Sequence, residues 1–414
     1  MPSLLPDVAP LRASREFRLL WTGQLVSQMG SAVRLVAVPY QVYVLTGSTL
    51  AVGLLGLFSA VPLIALSLWG GVIADRVDRR RMLLVTNAGL ALTSFALAAS
   101  TQAGLASVPL LYLLTAVGSG IGALDQPARS ALAPGLVERR LIPAAMALQQ
   151  AQFQVASVVG PAIAGLLIAQ LGLSSAYWID VATFVVAIGA ISLMRVRRSS
   201  EVVVHAPPLR ALADGMAFLW SRPLLLATMS VDFFATFFAV SRAVMPYYAD
   251  RVFAVGPEGL GLLFAAPGAG ATVIALTSGW TGGVRRKGLG ILVSVAIFGV
   301  AIAAFGLLPA NGFVAGLLLL AIAQGADTVS AIFRHTILQL ETPDALRGRL
   351  SALNLVFVAG GPQLGQVESG VVAALWSPEA AVVTGGLACV GVVFFAHALV
   401  PQVARYRAEL SAAA

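Results

Sequence analysis

The sequence has very little charge. Asp, Glu, Lys and Arg together make up 11% of the chain, whereas soluble globular proteins carry roughly 25%. Hydrophobic residues account for 58% of the 414 residues, and the mean hydropathy is +0.90. This composition excludes a water-soluble enzyme and a disordered or fibrous protein. A transmembrane β-barrel would show short segments of alternating polarity, whereas the apolar runs here are long and unbroken, which favours membrane-spanning helices.

Cysteine and histidine are also scarce. The chain has one cysteine, Cys389, which excludes an intrachain disulfide, and its three histidines lack the spacing of metal ligands. No P-loop motif is present, so ATP does not drive this chain. A membrane-embedded enzyme would need paired carboxylates or a Ser/His cluster on one helix face, and the sequence has neither. We therefore expect no enzyme activity and no cofactor.

Twelve apolar runs reach the length of about 20 residues that a membrane span requires. Their predicted bounds are 17–45, 49–73, 82–101, 108–132, 143–171, 175–194, 223–251, 258–281, 289–308, 312–337, 350–375 and 379–403. Basic residues accumulate on the cytoplasmic side of a membrane. With the N-terminus inside, most of the 26 basic residues fall in inner segments, and the outer loops hold one, Arg251. We predict an all-α protein with twelve transmembrane helices in the inner membrane and with both termini cytoplasmic.

The net charge of +8 has the same explanation. The basic residues lie at helix ends, where membrane topology requires them, so we expect the lipid bilayer and no nucleic acid as a partner.

The first apolar run is too long for the core of a signal peptide, so we expect no cleaved signal.

The two halves of the chain repeat. The recurring pairs include Pro62 and Pro267, Arg129 and Arg334, Gly160 and Gly365, and Gly165 and Gly370. Parallel six-helix repeats place a substrate site between the halves near the membrane midplane. We predict an N-terminal six-helix bundle over 1–194, a cytoplasmic linker with an amphipathic helix over 195–222, and a C-terminal six-helix bundle over 223–414.

Two motifs resemble those of the major facilitator superfamily of secondary transporters. The loop after the second span reads GVIADRVDRR and is similar to the signature G-x-x-x-D-R-x-G-R-R, with Asp78 at the second glycine. The residues that match it are Gly71, Asp75, Arg76, Arg79 and Arg80. In the fifth predicted span, Gly160, Pro161 and Gly165 resemble a motif of exporter branches. The resemblance covers nearly the whole chain and implies two pseudo-symmetric six-helix bundles that work by alternating access.

Three further stretches resemble the siderophore exporters of that superfamily and their drug- and macrolide-efflux relatives. They are RAVMPYYAD at 242–250, ALTSG at 275–279, and TILQLETP at 336–343 followed by Gly348 and Arg349. The resemblance implies an exporter and suggests a siderophore as its substrate.

The loop motif can also be interpreted from its charges. Asp75 and Arg79 are four residues apart and can pair at the inner end of the second span. Arginines docked on the carbonyl-rich C-termini of neighbouring helices would hold those helices together, because the helix dipole favours cations there. The resemblance implies that this loop steadies one access state. The alternative is that the arginines only set the membrane topology.

Charges inside the predicted spans are candidate functional residues, because each costs about 2.5–3.5 kcal/mol at the bilayer centre. Most lie on spans one, four, seven and ten, which line the cavity in the resembled fold. The residues that we expect to couple protons or line the substrate cavity are Asp232, Glu368, Asp327, Asp125, Arg34, Arg242, Gln28 and Gln363. A structural ion pair is the alternative for each charge. Asp180 is interpreted as a helix-start residue.

Proton exchange requires a carboxyl group whose pKa differs between the two access states. Asp232 is our first choice, because it lies about 14 Å from the inner end of its span at 1.5 Å per residue. We therefore expect a monomeric, proton-coupled exporter of a small amphipathic substrate, which the resemblance narrows to an enterobactin-like siderophore. The alternatives are a multidrug or macrolide efflux pump, a lysophospholipid transporter and a membrane sensor that transports nothing.

Overall fold

The structure is a computed structural model of the chain, and it describes residues 7–195, 215–239 and 242–407. The side chains outside the description within these ranges are those of 68–76, 344, 345, 347–349, 351, 352 and 355. All regular secondary structure in the described ranges is helical. Most of the predicted linker, 196–214, lies outside the described residues, and 215–220 is helical.

Twelve helices of 17 residues or more make up most of the described chain, and we number them α1 to α12. The first six are α1 (Arg15–Thr46), α2 (Thr49–Arg76), α3 (Arg79–Gln102), α4 (Val108–Leu132), α5 (Ile142–Leu171) and α6 (Leu173–Ser192). The second six are α7 (Pro223–Ala239), α8 (Gly256–Thr277), α9 (Lys287–Gly306), α10 (Phe313–Glu341), α11 (Asp344–Leu375) and α12 (Pro378–Leu399). Each overlaps one predicted span.

The seventh predicted span, 223–251, agrees with a spanning segment over Pro223–Val252, and the helix type changes along this segment. After α7 the chain forms a 3-10 turn at Arg242–Val244, a short helix at Met245–Tyr247 and a π-helical turn at Tyr248–Val252. Pro246 has no backbone N–H and its ring crowds the preceding turn, which disfavours a continuous α-helix here. Hydropathy alone does not register this change.

Capping residues explain where several helices begin and end. Ser14 Oγ accepts a hydrogen bond from the Phe17 amide at 3.1 Å, so α1 starts at an N-cap. Asp78 Oδ1 accepts one from the Arg81 amide at 2.9 Å and caps α3. Gly47 ends α1 with a φ of +63°, a left-handed conformation that glycine adopts without steric cost.

Ten helices within the described residues are long and apolar enough to cross a membrane. The other two, α1 and α11, have 32 residues each, which is about 48 Å at 1.5 Å per residue and more than the roughly 30 Å of the hydrocarbon core. They are more polar, because α1 carries Arg34 and three glutamines in its middle and α11 carries Glu368 and two glutamines.

Large apolar side chains are exposed on the outside of the helices. Val85, Leu92 and Phe394 are between 67% and 72% exposed. Water-soluble proteins rarely expose such continuous apolar surface, whereas a bilayer solvates it. The exposed surface therefore agrees with a multi-pass membrane protein.

The chain packs as two compact units. One contains Met1–Gly47, Phe58–His205 and Val255–Ala265, and the other contains Ser48–Leu57, Ala206–Ala254 and Ala266–Ala414. In the first unit α1 packs against α5 and α6, and α3 packs against α4 and α6. In the second unit α7 packs against α11 and α12, and α9 packs against α10 and α12. The internal pairings of the two units are equivalent, as the sequence repeat predicts.

Glycines fix the same close approach in both units. A Cβ atom on Gly160 of α5 would overlap the side chain of Ala32 on α1. A Cβ on Gly365 of α11 would lie 2.9 Å from the carbonyl carbon of Phe237 on α7. Small residues allow helix backbones to approach this closely. Gly160 and Gly365 are a pair in the sequence repeat, so the repeat preserves the contact of the first helix with the fifth.

Lys287, the one lysine of the chain, begins α9. Its side chain is buried, its Nζ donates a hydrogen bond to the Thr281 carbonyl at 3.1 Å, and the same atom lies 5.4 Å from the centre of the Phe333 ring. The ring face attracts the ammonium group by a cation–π interaction. Lys287 therefore ties the start of α9 to α10.

Candidate transport site

Arg334 on α10 lies between two carboxylates. Its Nη1 forms an ion pair with Oδ1 of Asp232 on α7, and its Nη2 lies 3.9 Å from Oδ1 of Asp327 on α10. The Asp232 side chain is 5% exposed, whereas that of Asp327 is 21% exposed. Asp327 also accepts a hydrogen bond from Gln324 Nε2 at 2.9 Å. Two acids from two helices thus share one guanidinium group, with Asp232 nearest to it.

Asp125 on α4 forms a closed pair with Arg129 of the same helix. Its Oδ2 accepts hydrogen bonds from Arg129 Nε at 3.0 Å and Nη2 at 2.5 Å. Its Oδ1 accepts hydrogen bonds from Thr86 Oγ1 at 2.6 Å and from Asn87 Nδ2 at 3.1 Å, both on α3. Both oxygens of this buried carboxylate are therefore bonded, and its charge is matched by one cation.

Arg34 on α1 is paired with Asp180 on α6. Arg34 Nε lies 3.5 Å from Asp180 Oδ2, and Arg34 Nη1 donates to Ser94 Oγ at 3.2 Å. Ser94 in turn donates to Asp180 Oδ2 at 2.6 Å. Asp180 is fully buried, and α6 begins at Leu173, well before it. The interpretation of Asp180 as a helix-start residue is therefore wrong, because its carboxylate joins three helices inside the first unit.

The remaining predicted cavity residues are less completely bonded. Glu368 on α11 is half-buried, and its Oε2 has no hydrogen-bond partner in the part of the chain that the structure describes. Gln363 Oε1 accepts a hydrogen bond from Gln366 Nε2 at 2.9 Å. Arg242 is exposed in the 3-10 turn after α7, and Gln28 on α1 is half-buried.

Aromatic side chains lie next to Asp232 in the sequence of α7 and on the neighbouring α11. The rings of Phe233 and Phe237 stack with their centres 6.0 Å apart, and Phe233 meets Phe357 of α11 edge to face at 5.9 Å. Such rings can also stack on an aromatic ligand.

The arginines of the loop motif dock on helix ends. Arg79 Nη1 donates to the Ala131 carbonyl at 3.0 Å, at the end of α4. Arg80 donates from Nε to the Ile191 carbonyl at 3.0 Å and from Nη2 to the Ser192 carbonyl at 2.7 Å, at the end of α6. Both arginines thus lie at the C-terminal ends of neighbouring helices, where the helix dipoles favour a cation.

Three other residues of the motif, Gly71, Asp75 and Arg76, fall in 68–76 and lie outside the described side chains. The pairing of Asp75 with Arg79 stays a prediction. Asp78, which replaces the signature glycine, has a φ of −57° and caps α3. No left-handed conformation is needed there, so an aspartate is compatible with this turn.

The exporter-like motif of α5 serves close packing on two sides. Gly160 faces α1, as described above, and a Cβ on Gly165 would lie 2.6 Å from the Pro257 carbonyl oxygen at the start of α8. The intervening Pro161 is buried. These three residues therefore remove side-chain bulk where α5 meets its neighbours.

Two residues of these charged groups were recognisable in the sequence as charges inside the spans but were not among the residues expected to couple protons or line the cavity. Arg334 joins the two predicted acids Asp232 and Asp327, and Asp180 neutralises Arg34. One signal was available for Arg334, because it is the repeat counterpart of Arg129, which follows Asp125 by one helical turn.

Comparisons with known proteins agree with this architecture. The sequence profile of a family described as "Transmembrane secretion effector" matches residues 6–412. Enterobactin exporter EntS from Shigella boydii serotype 18 is 29% identical over 385 residues, covering 93% of this chain and 91% of the exporter. Enterobactin exporter EntS from Citrobacter koseri is 28% identical over 406 residues, covering 98% and 96%.

Solved structures share the fold at low identity. The nucleoside transporter NupG has a TM-score of 0.78 and 11% identity, with 93% of this chain and 100% of that chain covered. A peptide transporter POT in complex with alafosfalin has a TM-score of 0.74 and 12% identity, with 96% of each chain covered. A bacterial homologue of the iron transporter ferroportin has a TM-score of 0.68 and 16% identity, with 94% and 98% covered. The predicted major facilitator fold is confirmed.

Proposed function

Because the chain belongs to the transmembrane secretion effector family of the major facilitator superfamily, and is thus a secondary transporter rather than an enzyme, we propose that it exports an enterobactin-like siderophore in exchange for protons. It acts as a monomer in the inner membrane with both termini in the cytoplasm. The distribution of arginines along the chain supports this orientation.

The observation that carries the proposal is the sharing of Arg334 by Asp232 and Asp327. When Asp232 and Asp327 are both ionised, their two negative charges face the single positive charge of Arg334. One of the two carboxylates therefore lacks a cation of its own. A proton that binds Asp232 removes this excess and weakens the ion pair between α7 and α10. Arg334 is then free to pair fully with Asp327. Release of the proton restores the first arrangement, so the proton controls a contact between two helices.

The substrate class rests on similarity and on the chemistry of the candidate cavity residues. The relatives that match over more than nine-tenths of their length are named as enterobactin exporters. Gln28 and Gln363 offer uncharged donors and acceptors, and the phenylalanines of α7 offer ring faces for catechol groups. These features suit a bulky amphipathic compound.

A transport assay tests the proposal. Purified protein is reconstituted in liposomes, a pH gradient is imposed, and the flux of a catecholate siderophore is compared with that of a macrolide. We expect siderophore flux that depends on the gradient and disappears in Asp232→Asn, with the variant still inserted. Asp250→Asn is the matched control, since Asp250 is exposed and paired with the neighbouring Arg251, and it should keep wild-type flux.

Each part of the proposal would be contradicted by one result of this assay. Wild-type flux in Asp232→Asn would remove Asp232 as the proton carrier. Macrolide flux without siderophore flux would replace the substrate by a drug, and equal siderophore flux with and without the gradient would exclude proton coupling.

A further inference from the structure

The face of α11 that packs against α7 carries a carboxylate. A Cβ on Gly361 would lie 3.0 Å from the Phe233 carbonyl oxygen, and one on Gly365 would lie 2.9 Å from the Phe237 carbonyl carbon. Both glycines therefore face α7. Glu368 follows them by seven and three residues, a spacing that keeps all three on one helix face.

The register of the two helices brings Glu368 level with Arg242. Because Gly361 meets Phe233 and Gly365 meets Phe237, α7 and α11 run parallel and advance together. Glu368 lies about one turn beyond Gly365 on α11. About one turn beyond Phe237, the chain has passed the last residue of α7 and approaches Arg242. The turn Arg242–Val244 packs against α11, which agrees with this register.

Glu368 needs a partner or a proton. Its Oε2 is buried without a hydrogen-bond donor in the described part of the chain. A buried carboxylate oxygen that is ionised and unpaired costs far more than one that is protonated or bonded to a cation. Arg242, at the same level, has an exposed side chain that can supply the cation.

The other charged groups near α11 are already engaged or distant. On α7, Asp232 is paired with Arg334. On α12, Glu379 accepts a hydrogen bond from the Tyr247 hydroxyl at 2.7 Å, and His397 lies near the opposite end of that helix. The segment 49–57, which also lies against α11, has no charged residue. Arg242 is therefore the cation best placed for Glu368 among the described residues.

We propose that Glu368 and Arg242 form a second ion-pair switch, which rests on the proposed proton coupling. In this switch the pair is open while Glu368 carries a proton, and it closes when Glu368 releases the proton and Arg242 moves onto Oε2. Asp232 lies about 14 Å from the start of α7, and Glu368 about 10 Å from the end of the parallel α11, at 1.5 Å per residue. The transporter then has proton-binding carboxylates at two depths.

Charge reversal tests the pairing. Arg242→Glu and Glu368→Arg should each lose gradient-driven export, whereas the double variant should recover at least about tenfold over either single one, which corresponds to 1.4 kcal/mol. Arg251→Glu is the matched control, since Arg251 is exposed and pairs with Asp250, and it should export normally. Wild-type export by both Arg242→Gln and Glu368→Gln overturns the proposal.

A cross-linking measurement keeps the test independent of folding losses and of transport. Cys389 is the one cysteine, so Cys389→Ala gives a background for paired cysteines. Arg242→Cys with Glu368→Cys should cross-link with a short bifunctional thiol reagent, whereas Arg251→Cys with Glu368→Cys should not. Absence of cross-linking in the first pair overturns the proposed proximity.

Exchange of labelled for unlabelled substrate without a pH gradient separates the two proposals. Glu368→Gln should retain this exchange, because it needs substrate binding and alternating access but no net proton movement. Loss of exchange together with loss of gradient-driven export would assign Glu368 to substrate binding and overturn the switch. If the wild type exports without any gradient dependence, the proposed function fails, whereas the cross-link still reports on the pair.

Discussion

Arg129 and Arg334 occupy equivalent positions in the two halves of the chain but have different partners. Arg129 binds one aspartate on its own helix, and both oxygens of that aspartate are bonded. Arg334 is shared by Asp232 on α7 and Asp327 on α10. The duplicated position therefore holds a matched pair in one unit and an unmatched group in the other.

The difference separates a structural ion pair from one that can switch. Loss of the Asp125 charge would leave Arg129 without its acidic partner and would weaken the hydrogen bonds from α3. A proton on Asp232 leaves Arg334 with a second carboxylate within reach. We therefore propose that Asp125 has a structural role, linking α4 to α3 through the hydrogen bonds from Thr86 and Asn87, while Asp232 carries the proton.

Removal of each arginine should have the largest effect. Arg334→Gln should abolish gradient-driven export and lower the free energy of unfolding by about 3–5 kcal/mol, because the buried Asp232 loses its cation and Asp327 loses a nearby one. Arg129→Gln should lower stability less, since Thr86 and Asn87 still donate to Asp125, and it should retain export per folded molecule. Denaturant titration in micelles and liposome flux measure both quantities. Equal export by the two variants would contradict the contrast.

Replacement of whole pairs by apolar residues should separate stability from transport. Exchanging a buried ion pair for apolar residues is often neutral or stabilising by about 1–4 kcal/mol. Asp125→Leu with Arg129→Met should therefore fold and export. Asp232→Leu with Arg334→Met should fold without exporting. Loss of export in the first double variant, with folding intact, would assign coupling to α4 as well.

Neutralisation of Asp327 should have an intermediate effect. Its carboxylate is 3.9 Å from Arg334 and partly exposed, so Asp327→Asn should change stability by about 1 kcal/mol or less. Export should fall by about tenfold, or 1.4 kcal/mol, because Arg334 has no second acid when Asp232 is protonated. Flux at saturating gradient measures this loss, and unchanged flux would show that Arg334 does not move to Asp327.

Loss of one hydrogen bond to Asp125 should have the smallest effect. Thr86→Val removes a 2.6 Å bond from a buried hydroxyl, which should cost about 0.5–3 kcal/mol of stability. Export per folded molecule should not change. Ser94→Ala gives the matched comparison of stability and export in the Arg34–Asp180 ion pair of the same unit, because Ser94 donates to Asp180. A selective loss of export in Thr86→Val would contradict a purely structural Asp125.

The helices were largely predictable, because length and hydropathy determine which segments can cross a bilayer. The change of helix type after α7 was not, since Pro246 lies in an apolar run whose hydropathy stays high. At the start of α3, a departure from the family signature has a simple local explanation. Asp78 departs from the family signature, yet its side chain caps the helix, so the local chemistry explains a residue that the motif comparison treated as an exception.

The acids of the site were predictable from their cost in a membrane, whereas their partners were not. Asp232 and Arg334 are about a hundred positions apart in the sequence, and only the packing of α7 on α10 brings them together. Arg34 and Asp180 likewise depend on α1 and α6 being neighbours. Periodicity within one helix identifies a polar face, but it does not identify which residue of another helix lies opposite.

The lysine at the start of α9 has a practical consequence. Lys287 is the one side-chain amine of the chain, and it is buried against Phe333. Acylating reagents should thus leave this amine unmodified while the protein is folded. Modification of Lys287 on heating would report the melting of the junction between α9 and α10.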